Sequence, residues 1–479
     1  MIIKDWKKRY ESLTITAKAS LWAFFASIIQ RSMSIIATPV YTRILTTEEY
    51  AQYTLYQSWF VIWMIFASLQ VFNYSTYTAL AKFDDKDGFI SSAAGVIISL
   101  TALCGMTYFV LSCFFQDFLG FPSFIAVCMF LDILFYSIYN LWVARERYDY
   151  KYKLMAILSI IMGICEPVLG IGLTYLVRNK GYGRIYGVFA VHTLFGFFLF
   201  VAVLKKSKRL FFARYWKYIF RFGLPLLPHL LSTQILTRSD RIMINSLCNA
   251  SDAGIYGLAY SLSMLMMIVN DAILNSFTPW TYHEMKDKNF GNIKDGANKV
   301  LMLVGMSNIL LILFAPEAVK FFATKEYFQA VYIIPAVSAS VYFTFLFNLF
   351  VNIEYYYAET KFVTAASVGA AATNVALNLF FIPRYGFIAA GYTTLISYIF
   401  YALGHFFFMR IVSRKHAGGY QFYDNKRILS VSIIFTVTAL LIIPLYKYAM
   451  IRYILIALII AVIGCNWKKI VFVIKKKEV

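Results

Sequence analysis

Apolar runs of about twenty residues recur from one end of this chain to the other, separated by short polar connections, and few folds can hide that much hydrocarbon. An α-helix rises about 1.5 Å per residue, so about 20 residues cross the hydrocarbon layer of a bilayer. Runs of that length fall near 20–40, 54–74, 89–111, 122–142, 154–176 and 185–204 in the first half. In the second half they fall near 221–242, 254–275, 299–319, 329–350, 363–382 and 387–409, and two more near 429–446 and 450–467 bring the total to 14. With 60% of 479 residues hydrophobic and 14% charged, the chain lacks the polar residues to clothe a water-facing globule. The expectation is an all-α polytopic membrane protein of about 14 transmembrane helices.

A net charge of +21 could suggest nucleic acid, but the basic residues sit in short clusters at the ends of the apolar runs, which excludes a continuous basic face. Of the 45 Lys and Arg, 33 fall in the connections on the side of the N-terminus, 11 on the opposite side, and Arg31 lies inside a run. That bias predicts a multi-pass protein whose termini both face the cytoplasm. The N-terminal segment lacks a small-residue cleavage pattern and predicts a retained first span. Six scattered cysteines read as small hydrophobes, with no disulfide framework, metal site or cofactor expected.

The chain also repeats itself. Glu49–Ser58, EYAQYTLYQS, lines up with Asp252–Ser261, DAGIYGLAYS, and the same offset of 203 carries Gly183 and Ile185 onto Gly386 and Ile388. Two anchors in one register indicate duplication. Each half has an even number of spans, so the repeats run parallel, with the substrate expected between them. The predicted organisation is an N-terminal lobe at 1–204, a basic cytoplasmic linker at 205–220, a C-terminal lobe at 221–410, and two further helices with a basic tail at 411–479.

Ionisable groups inside apolar runs are expensive and therefore informative. Arg31 lies about eleven residues into the first span, as an anion contact or as the partner of a buried acid. Asp132 and Glu166 fall near mid-membrane, as a proton relay or as that partner, and Pro167 leaves the carbonyl one turn before it without a donor. Arg238 and Arg241, three apart, share a face of the seventh span, where Arg241 could also snorkel to the interface. Asp271 and Glu354 lie near cytoplasmic ends as anchors or gates. His192, His229 and His405 have no partner at helical spacing and read as core histidines. Asn374 and Asn378, four apart, share a face of the eleventh span, and Thr394 begins the facing turn of the twelfth.

The passage Asn374–Gly391, NVALNLFFIPRYGFIAAG, together with Arg43–Leu45, Glu49, Tyr50, Tyr53, Asp240, Arg241, Gly254 and Tyr256, resembles the polysaccharide-export branch of the multidrug, oligosaccharidyl-lipid and polysaccharide exporter superfamily. That branch includes bacterial O-antigen flippases. The resemblance implies two six-helix lobes that move a lipid-linked oligosaccharide across the membrane by alternating access, without catalysis. Polysaccharide-assembly enzymes are then the expected partners, beside membrane lipids, and nucleic acid is not one. Arg31, Arg238 and Arg241 would hold the pyrophosphate of an undecaprenyl carrier, because a guanidinium keeps its charge when desolvated and meets phosphate oxygens in pairs.

In related lipid II flippases a sodium site is built on the seventh, eleventh and twelfth helices, at positions that Asn374, Asn378 and Thr394 resemble. Here the eleventh helix carries an amide at 378 and the seventh offers Gln234, so the expectation is a site without a carboxylate, with Na+ or H+ as candidate coupling ions. Interhelical amide hydrogen bonding is the alternative. Rival functions are a lipid II flippase or a drug/cation antiporter of the same superfamily. A membrane polysaccharide polymerase or ligase, which needs a long outer loop, is the rival from another class.

Overall fold

The computed structural model describes residues 15–73, 75–115, 119–357 and 359–475, and every described element is helical. The chain divides into two compact units, Met1–Leu231 and Ser232–Val479. In the first, long helices α1 (Ile15–Ile44) and α2 (Thr47–Ser68) are followed by the short α3 (Ser75–Lys82). Then come α4 (Lys86–Phe114), α5 (Ser123–Tyr148), α6 (Tyr152–Leu176) and α7 (Lys180–Lys206). The expected basic linker contains part of an amphipathic helix, α8 (Ala213–Gly223), which buries Tyr215, Ile219 and Gly223 at four-residue spacing and carries Arg214, Lys217 and Arg221 on other faces. This is the pattern of a helix lying along an interface.

The second unit contains most of α9 (Leu227–Leu247), then α10 (Ala250–Ser263), α11 (Met266–Lys286), α12 (Phe290–Leu313), the short α13 (Ala315–Phe322), α14 (Ile334–Tyr356), α15 (Thr360–Tyr385), α16 (Ile388–His416), α17 (Asn425–Leu441) and α18 (Ala449–Lys475). The boundary between the units falls four residues before Leu236, inside α9. The eighth expected span is a broken helix, α10 and α11, interrupted at Met264 and Leu265. Among the described residues, ten segments are long and apolar enough to cross a membrane by length and composition alone. Helices α1, α2 and α9 are not among them. Arg238, Asp240 and Arg241 lie in α9, and Glu48 and Glu49 open α2.

The repeat has a local structural cause in its caps. Thr46 accepts from the Glu49 backbone while the Glu49 carboxylate accepts from the Thr46 N–H, a reciprocal pair that starts α2. At the same offset of 203, Asn249 accepts from the Asp252 N–H and starts α10. Ile44 and Leu247, where the preceding helices end, obey the same offset. Each cap is worth about 1 kcal/mol, enough to fix where the helix begins.

Packing within the first unit relies on small residues where backbones meet. A Cβ on Gly187 would lie 2.3 Å from the Gly170 Cα, so α6 and α7 touch backbone to backbone. In the second unit α14 is buried over most of its length, and Tyr342, Phe345 and Phe350 fill the core around it.

A buried carboxylate network and a tyrosine-caged arginine

The second unit buries a polar cluster among α9, α10, α15 and α16. Asp240, fully buried, accepts at Oδ1 from Asn378 Nδ2 (2.6 Å) and at Oδ2 from Thr394 Oγ1 (2.7 Å) and Tyr256 Oη (2.6 Å). Asn378 Nδ2 also donates to Asn374 Oδ1 (3.2 Å), which accepts from Ser239 Oγ (3.1 Å), and Thr393 donates to Asn378 Oδ1. Asn374, Asn378 and Thr394 are thus brought together as expected from their spacing.

The expectation that they lack a carboxylate is overturned. Gln234 points elsewhere, accepting from Arg238 Nε at 3.2 Å, and Asp240 supplies the acid. In sequence Asp240 reads as one member of a charge cluster with Arg238 and Arg241. On a helix, however, two residues separate by about 200°, so Asp240 and Arg238 face opposite ways.

Eight oxygens from one carboxylate, two amides and four hydroxyls suit a hard cation better than a transition metal. No group of three or more His, Cys, Asp or Glu able to hold a metal occurs among the described residues. As arranged, the Asn378 amide and the Thr394 and Tyr256 hydroxyls donate to Asp240. A cation would take over the carboxylate as those donors turn away.

The first unit holds two linked features. Asp132, also fully buried, accepts from Tyr56 Oη (2.6 Å) and faces His192 Nδ1 (2.6 Å). His192 Nε2 lies 3.2 Å from Glu166 Oε1, so the two acids that the sequence offers as a proton relay or as partners of Arg31 are joined through a histidine expected only as a core residue. His192 lies 60 residues from Asp132 and 26 from Glu166, spacing that gives no local signal. Both ring nitrogens of His192 thus face carboxylate oxygens, one from each acid.

Beside it, Gln30, Ser34, Ala37 and Tyr41 of α1, Tyr53 of α2, Gly163, Glu166 and Pro167 of α6 and Arg184 of α7 enclose a cavity of about 250 Å³. The Arg184 guanidinium stacks 3.6 Å from the Tyr53 ring centre and 4.1 Å from that of Tyr41. Sequence reasoning missed Arg184, counting it in a polar connection. The visible signal was its place between Gly183 and Ile185, the second repeat anchor.

The predicted pyrophosphate contacts are distributed differently. Arg31 is exposed on α1. Arg238 is half-buried, and Arg241 is buried with its guanidinium 4.3 Å from the Tyr260 ring centre, which is packing and not the snorkelling that was the alternative. Glu354, expected as an anchor or gate, is fully buried against His405 at 2.8 Å.

A family model described as polysaccharide biosynthesis protein matches residues 16–281, more than half of the chain. The chain belongs to that family. It is 23% identical over 252 residues to the Lsg locus putative protein 1 of Haemophilus influenzae, covering 50% of this chain and 61% of that one. It is 25% identical over 283 residues to the uncharacterized membrane protein MJ1375 of Methanocaldococcus jannaschii, covering 57% and 64%. Both matches span less than two thirds of the relative's length.

Among solved structures, the chain is similar to the lipid II flippase MurJ in an inward closed conformation. The TM-score is 0.69 at 17% identity, over 95% of this chain and 99% of that one. It is also similar to an inward-facing multidrug resistance MATE family transporter of the MOP superfamily, with a TM-score of 0.60 at 14% identity over 81% and 96%. At these identities the likeness establishes the fold alone.

Proposed function

We propose that the protein is a flippase, without catalytic chemistry, that carries an undecaprenyl-pyrophosphate-linked oligosaccharide across the bacterial inner membrane, with both termini in the cytoplasm. The observation that carries this reading is the Asp240 cluster: a carboxylate buried among four helices is costly, is here held by three hydrogen bonds, and in a membrane helix marks an ion or proton site by default. Here it sits in a polysaccharide biosynthesis family member with a flippase-like fold. Asp240 with Asn374, Asn378 and Thr394 is the coupling site for Na+ or H+ in this reading. Asp132, His192 and Glu166 form a proton relay in the first unit. Arg31, Arg238 and Arg241 are each assigned to the pyrophosphate, because a guanidinium stays charged and its planar fork matches phosphate oxygens.

The test is reconstitution. Purified protein in liposomes loaded with a fluorescent undecaprenyl-pyrophosphate oligosaccharide should expose the glycan to an external glycosidase faster than empty liposomes do, and an ion gradient should change the rate. A rate equal to that of empty liposomes under Na+ and H+ gradients alike refutes the reading. Elongation of the glycan in the same assay would instead point to a polymerase.

A further inference from the structure

Residues 205–221, which follow α7, carry seven Lys and Arg and no Asp or Glu. A run of this composition is ordinarily a loose, solvated connection, yet here it is fastened down. Ser91 Oγ of α4 donates to the Ser207 carbonyl (2.7 Å), and the Leu210 carbonyl occupies the place that a Cβ on Gly95 would need. Trp216 Nε1 donates to the same Leu210 carbonyl (3.1 Å), which ties the start of α8 to the extended stretch before it. Helix α8 is then held through one side: the Tyr215 ring centre lies 5.0 Å from that of Phe83, and Tyr218 Oη donates to Thr78 Oγ1 of α3 (2.8 Å). At about 100° per residue, Arg214, Lys217 and Arg221 form one exposed row nearly opposite the buried Tyr215, Ile219 and Gly223. Phe211, 68% exposed, precedes the row, and Leu224, 50% exposed, follows it. The Phe211 ring is steadied edge-on by Trp216, with centres 4.9 Å apart.

We infer that this row binds the headgroups of anionic phospholipids, with α8 lying in the membrane surface and Phe211 and Leu224 reaching past the headgroups at its two ends. Charge complementarity selects the anion: Asp85, at the start of α4, pairs with Arg209 at 3.6 Å and not with the row. The bare apolar ends select the lipid. An acidic protein or a nucleic acid would meet the same cations but gains nothing from two exposed hydrocarbon side chains beside them, whereas the boundary between headgroups and acyl chains accommodates both kinds of group. Because the linker is tied to α3 and α4, headgroups bound at the row stabilise the folded first unit, as any ligand does that binds the native chain alone. This holds whatever the cargo and the coupling ion.

The test follows the melting temperature of the full chain, purified in a neutral detergent, during titration with short-chain phosphatidylglycerol, short-chain phosphatidylcholine or glycerol phosphate. Phosphatidylglycerol should raise it saturably where the other two do not, and about 0.5 M salt should weaken the effect. A cation near an anionic surface strengthens binding roughly fivefold, so replacing Arg214, Lys217 and Arg221 together by Gln should raise the half-saturating concentration roughly a hundredfold. The melting temperature in phosphatidylcholine should stay as in the wild type. Lys217→Gln alone should give about a fivefold change, which decides the matter where the triple variant folds poorly. Replacing the exposed Lys286, Lys288 and Lys299, around the connection from α11 to α12, by Gln removes the same charge elsewhere and should leave the response intact. A wild-type chain indifferent to phosphatidylglycerol, a row variant that responds undiminished, or an equal loss in the Lys286, Lys288 and Lys299 variant overturns the proposal. A matching response to glycerol phosphate would make the row a site for soluble anions. Loss of self-association in the row variant, with its lipid response intact, would make it a contact between copies of the chain; either result also overturns the lipid assignment.

Discussion

Asn378 donates to Asp240 across 2.6 Å, joining α15 to α9 through residues 138 positions apart in sequence. The bond ties a helix-end charge cluster to an amide pair and turns two weak sequence features into one site. Asp240→Asn keeps the size of the side chain and removes its charge. The expected outcome is protein of near-normal melting temperature whose transport no longer responds to a Na+ or H+ gradient. Asp240→Leu should behave differently, because it strands three buried donors at about 1–3 kcal/mol each. Its folded yield in detergent should fall sharply. Gradient-dependent transport by Asp240→Asn would remove the coupling role.

The relay in the first unit makes a separate prediction. His192→Gln can bond Asp132 but cannot carry a proton on to Glu166. Transport should then lose its response to a pH gradient while retaining any response to sodium, measured in the same liposomes. His192→Ala leaves the fully buried Asp132 with the Tyr56 hydroxyl as its remaining named contact and should lower the melting temperature as well. An unchanged pH response in His192→Gln would reduce the chain to packing.

Helix packing can be tested at one glycine. Gly187→Ala sets a Cβ 2.3 Å from the Gly170 Cα and 2.4 Å from its N, so the α6 and α7 backbones must separate. Overpacking of this kind costs about 1–3 kcal/mol. Gly172→Ala, with nothing within 4 Å of the new atom, is the matched control and should be neutral. Equal melting temperatures for the two variants would contradict the close contact.

Much of the fold was legible because hydropathy has one cheap reading in a bilayer, and each expected apolar run has a helix over it. The missed break at Met264 and Leu265 lies inside an unbroken apolar stretch, where composition marks the membrane but not the helix hydrogen bonds. The cluster was half legible. Asn374 and Asn378 announce themselves by four-residue spacing, and Asp240 was visible as a charge but not by the face it takes. His192 and Arg184 depend on which helices meet, which no local spacing encodes. The repeat offset came nearest, since it sets Ala37 against Asp240.

The charge bias predicts topology. In a cysteine-free background, Gly418→Cys, in the connection after α16, should resist a membrane-impermeant maleimide in intact cells and react after permeabilisation. Glu326→Cys, between α13 and α14, should react in both. The reverse pattern would invert the orientation and place the 33 basic residues outside.

The arginines carry the last prediction. A charge-assisted hydrogen bond to a desolvated anion contributes about 1.5–3 kcal/mol, so losing one weakens capture of a pyrophosphate roughly ten- to a hundredfold. Arg31→Ala and Arg238→Ala should each reduce transport by that factor at sub-saturating substrate. Arg31→Lys should recover part of it, because lysine keeps the charge and loses the planar fork. Arg241 differs, since its guanidinium lies against the Tyr260 ring and its Nε has no hydrogen-bond partner. Arg241→Lys forfeits the stacking and should lower the melting temperature, where Arg31→Lys leaves it unchanged. Measuring transport and melting temperature together separates capture from folding. Wild-type transport by folded Arg31→Ala and Arg238→Ala proteins would remove both residues from the pyrophosphate site and leave recognition of the carrier to other groups.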